Sequence, residues 1–156
     1  MAEPSVIHDT FVIEQSFPAP AARVFAALAE PALKRRWYAE GGAHDVEAFA
    51  LDFRVGGAER AVYRFNAASP FPGASLENVG IHLEIAPDRR VVIASTMAID
   101  GRRFSASMVT FELVPTADGT DLVFTHQGAF FEGADGPEMR RGGWVKLLDQ
   151  MAKALA

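Results

Sequence analysis

Between residues 44 and 128, six strand-like stretches follow one another with only turn signals between them, and a single long helix closes the chain. The stretches are "HDVEAFALDF", "ERAVYRFN", "ENVGIHLEIA", "RVVIASTMAI", "RRFSASMVTFELV" and "TDLVFTHQG". Asp100-Gly101 and Asp118-Gly119 are short-hairpin signals, and Pro87-Asp88 starts another turn. Strands joined by hairpin-length loops leave no room for crossovers, so they form an antiparallel meander. Upstream, "DTFVIEQSF" adds a strand with Phe11, Ile13 and Gln15 on one side. "PAARVFAALAE" follows as a short helix presenting Val24, Phe25 and Leu28, with Pro in its opening turn. Pro31 ends it, since an interior proline costs about 3 kcal/mol, and "ALKRRWY" makes a second short helix. The predicted fold is α+β: a curved seven-stranded antiparallel sheet, two short helices after the first strand, and a long C-terminal helix over about residues 139 to 155.

On that helix Trp144, Leu147, Leu148, Met151 and Leu155 follow the spacing of an apolar stripe. No other element is large enough to cover the sheet's concave face. Trp144 reads as a core anchor, whereas Leu147, Leu148 and Met151 are where the helix could act as a lid. With 156 residues, the chain reads as one domain, 1–156. A net charge of −5, with Lys34-Arg35-Arg36, Arg89-Arg90, Arg102-Arg103 and Arg140-Arg141 dispersed, argues against a nucleic-acid partner, which needs a concentrated basic face. The absence of cysteine excludes disulfide and thiol chemistry. No run of eighteen apolar residues and no basic-then-apolar leader occurs, so a cytoplasmic protein without integral membrane association is expected. His8, His44, His82 and His126 lack paired ligand spacing, so neither a metal nor another cofactor is expected. His82 shares a strand face with Glu84, opposite Ile81, Leu83 and Ile85, which places it at the surface.

The element order, together with "LDFRVGGAER", "ENVGIHLEIAPDRRVV", "VTFELVPTADGTDLVFTHQG" and "GGWVKLLDQMAKAL", resembles the START-like, helix-grip superfamily (SRPBCC), in its branch named after activators of heat-shock-protein-90 ATPase. The resemblance runs from about residue 10 to 155. It implies a cavity between sheet and C-terminal helix that holds an apolar small molecule. It also implies that Gly142 and Gly143 let the helix's first turns pack close to the strands. The superfamily spans lipid carriers, cyclases and co-chaperone domains, and function resides in the site rather than in the fold. A chaperone partner is not expected, because 156 residues leave no room for the additional chaperone-binding domain of the eukaryotic activators.

Strand alternation then nominates the inward residues. Val109, Phe111 and Leu113 form an apolar face that Ser105 and Ser107 extend, with Thr110 and Glu112 pointing out. Leu122, Phe124 and His126 form another, as do Ala61, Tyr63 and Phe65, and Phe49, Leu51 and Phe53. In "VVIASTMA" neither face declares itself, and Met97 is taken as inward. Trp37, Phe49, Tyr63, Phe65, Met97, Ser105, Ser107, His126, Phe130, Trp144, Leu148 and Met151 are thus the expected ligand-binding residues, an apolar pocket with a few polar tips. The alternative is a filled core in which Tyr63 and His126 satisfy each other.

An enzymatic reading would use His126 as general acid or base with Tyr63 as orienter, on an aromatic or polyketide-type substrate. No Gly-x-Ser-x-Gly elbow supports hydrolysis. "VGGAER" lacks the third glycine of a dinucleotide loop and reads as a turn or bulge. "EGADGPE" lacks calcium-ligand spacing and is expected to be a mobile loop at the cavity mouth, with Phe130 and Phe131 as gate residues. An unpaired strand edge offers a route to a homodimer.

Overall fold

The computed structural model describes residues 3–156. β1 (Ile7–Phe17) leads into α1 (Ala21–Ala29) and α2 (Pro31–Lys34), and α2 runs on into one π-helical turn, Arg35–Ala39. β2 (His44–Leu51), β3 (Ala58–Phe65), β4 (Ser75–Ala86), β5 (Arg90–Ile99), β6 (Arg102–Thr116) and β7 (Gly119–Phe130) follow, and α3 (Pro137–Leu155) closes the chain. The seven strands form one antiparallel sheet in the order β1-β7-β6-β5-β4-β3-β2. The meander from β2 to β7 is uninterrupted, and β1 returns beside β7, Ile7 opposite Phe130 and Phe17 opposite Thr120. Among the described residues no helix is long and apolar enough to cross a membrane.

Local chemistry accounts for the joints. Asp100 and Gly101 have φ of 48° and 83°, the left-handed pair that a two-residue hairpin turn requires. Glu30, before Pro31, is extended at φ −88°, ψ 122°, as the clash with a following proline ring demands. The π turn is closed by Glu40 N–H donating to the Arg35 carbonyl at 3.1 Å. Trp37 enters the core and donates its indole N–H to the Ala27 carbonyl at 2.8 Å, while Tyr38 faces the sheet.

The main core lies between the concave face and the C-terminal half of α3. Phe111, Leu122 and Phe124 from the sheet meet Leu148, Met151 and Leu155, with Val24 and Leu28 of α1 and Trp37 closing one end. β5 resolves its own ambiguity: Val91 and Ile93 are buried on the concave side, which carries Ser95 and Met97 inward after them.

Two expectations are overturned. His82 is buried, 1% exposed, whereas Ile81 and Leu83 are each 49% exposed. Regular alternation with Asn78 and Gly80 puts the histidine on the concave side, where its Nδ1 lies 2.8 Å from the Gly57 carbonyl and its ring meets the edge of Phe53; the register shift comes only after it, before Glu84. The apolar residues beside it belong to the convex face. Second, Gly142 and Gly143 make no close approach to the strands: both are exposed, and a Cβ at either would meet nothing within 4 Å.

These glycines therefore cost helix stability without serving packing. Gly142→Ala is expected to stabilise the protein by about 0.5–1 kcal/mol, a rise in Tm of about 1–4 °C measurable by calorimetry.

Candidate functional site

Beyond the reach of the filled core, toward the N-terminal half of α3, the concave face carries polar residues. Lys34 and Tyr38 come from α2 and its π turn, Glu59 from β3, Asn78 from β4, Ser95 and Met97 from β5, Ser107 from β6, His126 from β7, and Arg140 and Trp144 from α3. With Gly80, Ile93, Val109 and Phe111 they enclose a chamber of about 30 Å³, room for a water or two. Next to it opens a cleft of about 290 Å³, walled by His44, Tyr63, Leu76, Asp135, Met139, Gly143 and Leu147. The two compartments share Tyr38, Asn78, Met97, Arg140 and Trp144, so they adjoin, one enclosed and one open, with these side chains between them.

Two ion pairs frame the pocket, one buried and one partly buried. The Lys34 ammonium lies 2.5 Å from Glu59 Oε1, with side chains only 2% and 7% exposed, and sits 4.9 Å from the centre of the Tyr38 ring. Arg140 holds Asp135 with both ends of its fork, Nε to Oδ2 at 2.7 Å and Nη2 to Oδ1 at 2.9 Å. The same Nη2 donates to Ser105 Oγ at 2.8 Å, and the guanidinium lies over the Phe130 ring. Such bidentate contacts fix orientation as well as energy. The Asn78 amide donates to the Tyr38 hydroxyl, and the Ser95 and Ser107 hydroxyls stand 3.3 Å apart. Burial, and after it the Glu59 carboxylate, push the Tyr38 hydroxyl well above its usual pKa, so it stays protonated and able to donate.

His126 is stacked on Phe11, ring centres 4.7 Å apart, and its Nε2 faces Arg140 Nη1 at 3.5 Å. Burial, followed by the Arg140 charge, lowers its pKa to about 4. The ring is therefore neutral at neutral pH, with an accepting nitrogen turned to a guanidinium and Nδ1 buried without a partner. Gly128 makes room for it, since a Cβ there would stand 2.8 Å from His126 Cε1.

The chain matches the family model described as "Activator of Hsp90 ATPase homolog 1-like protein" over residues 18–156. It belongs to that family. A crystal structure of a Rhizobium loti protein is 43% identical, covering 97% of this chain and 100% of its own, with a TM-score of 0.85. An uncharacterised protein from Rhizobium leguminosarum is 34% identical, covering 97% and 96%, with a TM-score of 0.89. An AHSA1-like protein from Aeromonas hydrophila, 18% identical over 94% and 91% with a TM-score of 0.68, shares the fold. No curated protein matches the chain.

Within this family frame, the structure sorts the expected site residues into separate places. Met97, Ser107, His126 and Trp144 line the chamber, and Tyr63, Met97 and Trp144 line the cleft. Tyr63 and His126 do not meet: Tyr63 packs against His44, ring centres 4.4 Å apart, in the outer compartment. Ser105 is drawn under Arg140, and Phe130 is buried beneath the same guanidinium. Trp37, Leu148 and Met151 lie in the main core, Phe49 packs beside Ala61 and Tyr63, and Phe65 is half-buried away from both compartments. The "EGADGPE" loop does border the cleft, through Asp135, and is tied down by Arg140 and by Arg102 donating to the Glu132 carbonyl.

The residues not anticipated are Lys34, Tyr38, Glu59, Asn78, Asp135 and Arg140. Two carried a signal: Glu59 precedes Ala61 by two in a strand already read as inward there, and Arg140 precedes Trp144 by four on the helix stripe.

Two outcomes test this geometry. Glu59→Gln leaves Lys34 buried without its counter-charge and is expected to cost about 3–5 kcal/mol in urea denaturation, most of it recovered in the double variant Lys34→Met/Glu59→Leu. For His126, the unfolded chain takes up a proton near pH 6.5 and the native protein only near 4. Stability is then full above about pH 6.5 and declines as pH falls toward 4. NMR of the ring should show His126 still neutral at pH 5, and His126→Gln should flatten the decline.

Proposed function

We propose that this protein binds a small, largely apolar molecule in the pocket between the sheet and the N-terminal half of α3. The observation that carries the reading is the two-part pocket itself. An outer cleft walled by Tyr63, Leu76, Met97, Met139, Trp144 and Leu147 adjoins an inner chamber whose hydrogen-bonding groups stand among apolar Ile93, Val109 and Phe111. Apolar walls supply most of the affinity of such a site, and a few convergent polar groups orient the occupant. The cleft's volume suits a body of one or two rings. Family membership agrees with the placement of the cavity and leaves the ligand open.

The enzymatic alternative with His126 as general base finds less support. Its accepting nitrogen is turned to Arg140, its pKa of about 4 is far from the working range of a base at neutral pH, and Tyr63 is not beside it.

Gly143 provides the test. It lines the cleft, and a Cβ built there meets nothing within 4 Å, so Gly143→Leu adds a good helix former that projects into the ligand's space. The wild-type protein, screened against apolar and aromatic metabolites by native mass spectrometry, is expected to hold at least one compound at one-to-one stoichiometry. At a hundred times Kd that compound adds about 2.7 kcal/mol, a rise in Tm of about 5–10 °C. Gly143→Leu should lose the binding with no loss of its own stability. Failure of every compound to bind, or binding undisturbed in Gly143→Leu, would refute the assignment.

A further inference from the structure

Size and charge restrict the occupant of this pocket more tightly than its apolar lining does. The chamber, at about 30 Å³, is roughly a tenth of the cleft's 290 Å³. A molecule reaching both compartments leaves its body in the cleft and places a head of one or two non-hydrogen atoms inside. The charges around that head are already balanced. Lys34 is matched by Glu59 and Arg140 by Asp135, each pair in direct contact, and His126, which faces Arg140, is neutral. A carboxylate head would bring a third anion to two cations that already have partners, so its desolvation would find no free counter-charge.

Hydrogen-bond capacity, in contrast, is left over. Among the described residues the Lys34 ammonium, with three N–H groups, has Glu59 as its one partner. Nη1 of Arg140 has only the long 3.5 Å contact to His126. The Tyr38 hydroxyl accepts from Asn78 and keeps its own proton to donate. A neutral oxygen can accept from these groups, and burying it costs little once it is hydrogen-bonded.

We infer that the pocket selects a neutral molecule, an apolar body of one or two rings ending in a single carbonyl or hydroxyl oxygen, and discriminates against the corresponding carboxylate. This rests on the ligand-binding function proposed above and names its ligand class. Lys34, Arg140 and Tyr38 supply the donors, and Glu59 and Asp135 act at one remove by cancelling the charge.

Naphthalene, 2-naphthol and 2-naphthoate share one body and differ in the head, and calorimetric titration of the intact protein at pH 7 separates them. 2-Naphthol is expected to bind at least about tenfold more tightly than 2-naphthoate and more tightly than naphthalene. Equal or tighter binding of 2-naphthoate overturns the charge argument while leaving ligand binding standing. Naphthalene equal to 2-naphthol overturns the role of the inner donors. If none of the three binds while another apolar compound does, the ligand class assigned here is wrong; if nothing apolar binds, the broader function falls with it. A second arm uses Asp135→Asn, which keeps a hydrogen-bond partner for Arg140 but removes its counter-charge. The ratio of 2-naphthoate to 2-naphthol affinity should rise about tenfold in that variant, and an unchanged ratio contradicts the inference.

Discussion

One helix cannot cover seven strands. At about 4.8 Å between neighbours, the sheet is roughly 29 Å wide, whereas a helix with its side chains is about 10–12 Å across. Curvature narrows the gap, and α1, α2 and Trp37 close one end of the concave face. The space that remains, beside the N-terminal half of α3, is the pocket. Its position follows from the mismatch between sheet and helix widths, and its polarity from the residues the strands present there.

That polarity is organised by the cost of burying charge. An unpaired ammonium or guanidinium in this setting would be strongly destabilising, and each of the two cations is held by a carboxylate. The pairs come from distant parts of the chain in one case and from five residues apart in the other. Lys34 and Glu59 tie α2 to β3, and Asp135 and Arg140 tie the last loop to the first turns of α3. The pairs therefore fix one short helix against the sheet and the last loop against α3 while leaving the pocket electrically neutral.

The elements were legible because alternation and turn chemistry are local. β6 and β7 each have one clearly apolar face, and Asp100-Gly101 needs its particular turn wherever it occurs. β4 misled because its convex face carries Ile81 and Leu83, so the apolar side was taken for the inner one and His82 for a surface residue. β5 was ambiguous because both faces are apolar along much of its length. The ion pairs were missed for a different reason: a lone Lys, Glu or Arg reads as surface by default, and a partner distant in sequence cannot be recognised from either residue alone. The π turn, which carries Trp37 of the core and Tyr38 of the pocket, likewise leaves no periodic signature in seven residues. The close approach that the family resemblance implies for Gly142 and Gly143 has no counterpart in residue spacing, and here the two glycines border open space.

Those two glycines divide α3 energetically. Its C-terminal half is anchored by Leu148, Met151 and Leu155, and breaking it exposes the main core. Its N-terminal half, which carries Arg140, contains two residues that together lower helix propensity by about 2 kcal/mol relative to alanine. Backbone openings there are correspondingly cheaper than unfolding of the sheet. Amide protons in the first turns then exchange through local fluctuations, while those of the last turns wait for the whole domain to open.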